Sequence, residues 1–253
     1  MDGIGAGERW SRLPVDWILR GRLAEFRAGR ALGDSMAALK LLLAIVLLAK
    51  NAPTGTADEN QGSVMLSYDD FMDLTHMSRA LISTGVKRLK AMALVTVSRG
   101  KKGEPSRYHL SSYGPKDRWS KVSNRRLFRG TNESRIAVLH ELSPRRECDM
   151  NALKLYLLFS AFQHRDGSGA MMSYEKIMEY SGIPHGKVRR AISILVEQGL
   201  IVVDKGRDSQ IDKRNPPNRY RLLGIKFLDK DHGYSSANPQ VTTATHTRAV
   251  GQD

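Results

Sequence analysis

Between Thr75 and Lys90 the chain reads THMSRALISTGVKRLK, and its polar side chains are hydroxyls and cations. Ile82, Val86 and Leu89 recur at helical spacing and form one apolar stripe. Ser78, Arg79, Ala80, Ser83, Thr84 and Lys87 are left on the opposite side. An arginine fork donates two parallel hydrogen bonds, a hydroxyl donates or accepts, and lysine is a compact positive charge. Such a face suits a partner that is anionic and rich in acceptors. No motif for nucleophilic chemistry accompanies it. A second stretch has the same plan. Val188, Ile192 and Leu195 form its stripe, and His185, Gly186, Arg189, Arg190 and Ser193 lie opposite. Ala80 and Gly186 are small enough to let a helix approach its partner closely. Any solvated helix shows a polar face, so the argument rests on its recurrence.

Other chemistry finds little support. There is no CxxC pair and no HExxH, and the seven histidines are scattered. GIGAGE, from Gly3, has no strand before it to make a phosphate-binding turn. Asp69, Asp70 and Asp73 sit at a helix start, where carboxylates favour the helix dipole; the matching positions later in the chain include Glu175 and Lys176. Cys148 is the single cysteine, so no intramolecular disulfide forms, which fits a reducing compartment such as the cytoplasm. It reads as a small side chain near a helix start. The expectations are therefore no enzyme, no metal and no cofactor.

The formal net charge of +14 in 253 residues, with pI near 10.0, points to polyanions, nucleic acid before membrane. The N-terminus is polar and is not a signal peptide. The most apolar run, Met36 to Ala49, is shorter than the roughly 20 residues a bilayer needs and contains Lys40, so it reads as a buried helix.

The elements that must position the two faces are themselves duplicated. MAALKLLLAIVLLA from Met36 matches MNALKLYLLFSAF from Met150. LSYDDFMDLTHMSRALISTGVKRLKAMALVTVSRG from Leu66 matches MSYEKIMEYSGIPHGKVRRAISILVEQGLIVVDKG from Met172, and SRYHL at Ser106 matches NRYRL at Asn218. Each copy predicts an apolar helix, a second helix capped by Ser67 or Ser173, and a third helix from Ser78 or Pro184 ending near Ala93 or Gly199. A two-stranded ribbon follows. The parsing is an N-terminal extension with a short amphipathic helix over 1–34 and a first domain over 35–113. A basic linker with a short helix spans 114–148, a second domain 149–228 and a disordered tail 229–253.

Helix, helix, helix, strand, loop, strand resembles a winged helix-turn-helix domain. The fold class expected is mainly α with small β-hairpins, as two winged helix-turn-helix domains in tandem. The resemblance implies that each third helix reads double-stranded DNA in a major groove and each hairpin loop, the wing, holds backbone. The wing cations are Arg99, Lys101, Lys102 and Arg107 in the first copy, and Lys205, Arg207, Lys213, Arg214 and Arg219 in the second. From Arg99 to Arg146 there are 13 Lys and Arg against 4 Asp and Glu, so the charge is concentrated here. Tyr108 and Tyr220 are expected to pack inward rather than stack on bases. Segment 114–148 either crosses DNA, with Arg125, Arg126 and Arg129 on phosphates, or simply links. The apolar positions Val15, Ile18, Leu19, Leu23 and Phe26 pack on the first domain or form a homodimer contact.

The tandem order is similar to that of plasmid- and phage-type replication initiators of bacteria, which implies a cytoplasmic protein on origin repeats with replication machinery as partner. A transcriptional regulator on promoter DNA is the alternative within DNA binding. A scaffold for a protein partner in chromosome segregation is the alternative of another class, and the basic wings argue against it. A direct repeat or an asymmetric site of about 20 base pairs is the expected target.

Overall fold

A computed structural model describes residues 10–49, 61–101, 104–129, 135–164, 166–204 and 217–225. The chain is helix-rich with small sheets. Two copies of one element order are present. The first comprises α2 (Leu32–Leu48), β2 (Ser63–Leu66), α3 (Tyr68–Thr75), α4 (Arg79–Ala91), β3 (Val95–Ser98) and β4 (Ser106–Leu110). The second comprises α7 (Glu147–Ala161), β6 (Ala170–Met172), α8 (Tyr174–Ser181), α9 (His185–Glu197), β7 (Ile201–Asp204) and β8 (Asn218–Leu222). In each copy the sheet has three strands, in the order β2-β4-β3 and β6-β8-β7, all antiparallel. The sequence predicts only two. The extra strands of four and three residues are too short for alternation to stand out.

Local chemistry explains the boundaries. Ser67 caps α3 in a capping box with Asp70, and Ser173 accepts from Lys176 N to cap α8. His76 and Gly182 close these helices in the left-handed region, at φ 54° and 65°. Ala93 and Gly199 do the same after α4 and α9, at φ 52° and 64°. Only glycine adopts that conformation without steric cost.

Helix α2 is buried on nearly every side because it packs against both α4 and α7. With the short 3-10 turn before it, its apolar stretch runs from Gly29 to Leu48, long enough to cross a bilayer, yet most of it lies against protein. Lys40 is buried with it and donates to Thr75 O at 3.2 Å, at the C-terminus of α3. The equivalent Lys154 in α7 is buried too and donates to Phe26 O at 3.0 Å. Tyr108 and Tyr220 are 1% and 0% exposed and pack on Phe71 and Phe159, as expected from the sequence.

Two regions differ from the sequence reading. The N-terminal extension is not one amphipathic helix. It forms β1 (Trp10–Pro14), a single turn α1 (Asp16–Leu19) and a 3-10 turn over Arg22–Glu25. Gly21, at φ 73°, breaks the helical path. Leu13, Val15, Ile18, Leu23 and Phe26 are nevertheless buried. Segment 114–148 is not a simple linker either. It contains β5 (Trp119–Ser123), α5 (Asn124–Phe128) and α6 (Ala137–Glu141), with Val122, Leu127, Val138 and Leu139 in the core. Strand β5 pairs with β1, more than a hundred residues earlier. The expected tail, 229–253, lies outside the described residues.

The β1–β5 pairing exposes a repeat longer than the three matches above. WSRLPVDWILRG from Trp10 aligns without gaps with WSKVSNRRLFRG from Trp119. Each copy therefore carries its own leader. In the ribbon, Arg12 lies opposite its equivalent Lys121, and Trp10 and Trp119 stack at 5.5 Å. Arg12 sits over the Trp119 ring and Lys121 over the Trp10 ring, so the cation–π contacts are reciprocal.

Candidate nucleic-acid interface

Helix α4 is fixed from below. Ile82, Gly85, Val86 and Leu89 are buried, and Met77 in the preceding turn is buried as well. A Cβ at Gly85 would lie 2.7 Å from Leu41 Cδ1 and 3.0 Å from the backbone of Ala37 and Ala38. Glycine thus sets how closely α4 approaches α2. Ser78 caps the helix by accepting from Leu81 N at 3.4 Å.

The predicted face is outward. Arg79, Ala80 and Lys87 are exposed, while Ser83 and Thr84 are half-buried. Arg79 forms an ion pair with Asp69 at 2.5 Å, with the arginine side chain 61% exposed. A pair so wetted contributes little, and Asp69 can yield the guanidinium to another acceptor at small cost. Thr84 Oγ1 donates to Leu81 O at 3.0 Å, so its proton is used within the helix. Lys87 has no ion pair among the described residues.

Helix α9 repeats the arrangement. Val188, Ala191, Ile192, Ile194 and Leu195 are buried. His185, Gly186, Arg189 and Arg190 are exposed and Ser193 is half-buried. Arg190 pairs with Glu197 at 3.3 Å; Arg189 has no ion pair among the described residues. Ser193 Oγ donates to Arg189 O at 3.2 Å. The His185 ring meets Tyr174 edge-on at 5.4 Å. Lys187, which the sequence reading passed over, is also exposed and pairs with Glu147. Its place one turn before the exposed Arg190 could have flagged it.

In the first hairpin Arg99 and Lys101 are exposed. Arg107 is half-buried on β4 and donates to Ser63 Oγ at 3.3 Å. Lys102 lies outside the described residues, as do Lys205, Arg207, Lys213 and Arg214 of the second hairpin. Arg219 is exposed on β8, beside Met171 Sδ at 3.9 Å. Its neighbour Arg221 is paired with Asp204, whose carboxyl the arginine's hydrogen bond holds below its ordinary value.

The leader arginines divide. Arg125 and Arg126 are exposed on α5. Arg129 is turned to the protein, pairing with Glu141 and donating to Gln198 O at 3.1 Å, so it ties α6 to the end of α9. Among the described residues no group of three or more His, Cys, Asp and Glu could hold a metal ion. Comparison with protein-family models, with curated proteins and with solved structures finds no match for this chain.

Proposed function

We propose that this protein binds double-stranded DNA sequence-specifically through two winged helix-turn-helix units. The observation that carries the reading is the doubling of one exposed face. Arg79 with Lys87 on α4, and Arg189 with Arg190 on α9, rest on helices whose opposite sides are packed into the same fold position. A third helix after a tight turn, followed by a basic hairpin, is the arrangement that inserts a helix in the major groove. The forked donors of Arg79 and Arg189 suit guanine edges, and Lys87, Arg99 and Lys101 suit phosphates. Within DNA binding, the tandem units favour a replication initiator acting on origin repeats.

Selection of bound duplexes from random DNA tests this. A single enriched motif, mapping to an origin rather than a promoter, is expected. Retention of all sequences equally would remove sequence specificity, and a promoter location would favour a transcriptional regulator.

A further inference from the structure

The two units are arranged about a pseudo-twofold axis, and this deepens the DNA-binding reading on which it rests. Four features fix the symmetry. The β1–β5 ribbon is antiparallel and centred on the equivalent pair Arg12 and Lys121, so Trp10 lies opposite Ser123 and Pro14 opposite Trp119. Helix α2 packs on α7, its own equivalent. Each leader also packs on the second helix of the other copy: Arg22–Glu25 on α8, and α6 on α3. Finally, the left-handed caps meet the opposite leader. His76 stacks with His140 at 5.3 Å, and a Cβ on Gly182 would lie 3.1 Å from Ala24 Cα. A head-to-tail repeat would bring unlike surfaces together; reciprocal contact between equivalent surfaces is the mark of a twofold.

The same leaders hold α4 and α9 as a fixed pair. Arg22 donates to Met92 O and Arg88 to Glu25 O, at the end of α4, while Ala24 touches the turn before α9. Reciprocally, Arg129 holds the end of α9 while Ile136 N donates to Leu74 O before α4. The packing chain α4–α2–α7–α9 sets the separation. Three helix contacts of about 8–10 Å each put the two axes no more than roughly 30 Å apart, somewhat short of the 34–36 Å between successive major grooves of straight DNA.

We infer that, within one bound site, α4 and α9 read two unlike half-sites in inverted orientation on a single duplex. Equivalent residues then face opposite strands. The direct repeat expected from tandem copies in sequence does not follow from this symmetry.

The test makes the two faces alike. His185→Arg, Gly186→Ala, Arg189→Ser, Arg190→Thr and Ser193→Lys transfer the α4 face to α9. The variant is expected to select a perfect inverted repeat and to prefer it about tenfold or more over a direct repeat of the same half-sites. A direct repeat, or two duplexes bound per chain, would overturn the inference while leaving DNA binding intact. Loss of all duplex binding by the unmodified protein would instead remove the underlying reading. Should the variant not fold, an iron chelate tethered at Ala80→Cys or Gly186→Cys, each in a Cys148→Ala background, gives the same answer. Cleavage of opposite strands supports the inverted arrangement, and cleavage of one strand overturns it.

Discussion

At the residue scale, the arginines proposed to read DNA and the buried lysines are tested separately. Arg79→Ala and Arg189→Ala are each expected to weaken specific binding by about 1–3 kcal/mol and relax preference at one base pair. Uniform weakening on every sequence would assign that arginine to phosphate. Lys40 and Lys154 belong to stability. Burial pushes both ammonium groups from 10.5 down to about 8. From pH 8 to 10.5 the unfolded chain holds protons that the folded chain has released, so their contribution rises with pH and is lost as pH falls through 8. Burial also raises Tyr108 and Tyr220 from 10.0 to about 12, so their contribution is lost as pH climbs through that range. The thermal midpoint should therefore rise from about pH 8 to about 10 and then fall. A Lys40→Met, Lys154→Met variant should lose the rise and keep the fall; a surviving rise would assign it to other groups. These lysines were not legible in sequence, where Lys40 merely interrupts an apolar run. Their partners, Thr75 O and Phe26 O, come from distant segments.

At the element scale, helices were more legible than strands. The stripe Ile82, Val86, Leu89 announces itself over a few turns, and the Ser67 and Ser78 caps mark starts by local chemistry. Strand β1 contains Pro14 and gains its meaning only from β5, so no local pattern revealed it. The repeated Trp-Ser at residues 10 and 119 was the available signal. Two substitutions test the helix packing and the helix end by thermal unfolding. Gly85→Ala should destabilise by about 1–3 kcal/mol, because the new methyl meets the backbone of α2. An unchanged midpoint would mean that α4 can slide outward freely. Ala93→Gly should stabilise by about 1 kcal/mol by relieving the left-handed residue, as Gly199 does in the second copy. A loss of stability there would contradict that assignment of strain.

At the scale of the whole molecule, the charge and the duplication act together. Leaders, ribbon and the core helices α2 and α7 join the two copies, and α4 and α9 pack on α2 and α7. The doubling was legible in sequence, but the relation between copies was not, because symmetry is a property of contacts rather than of order along the chain. The most direct measurement is equilibrium affinity for a duplex across a salt series, for the unmodified protein and a Lys87→Ala, Lys101→Ala variant. A steep fall of affinity with salt is expected, with the slope smaller by about two in the variant. A flat salt dependence, or an unchanged slope in the variant, would contradict binding of DNA through these faces.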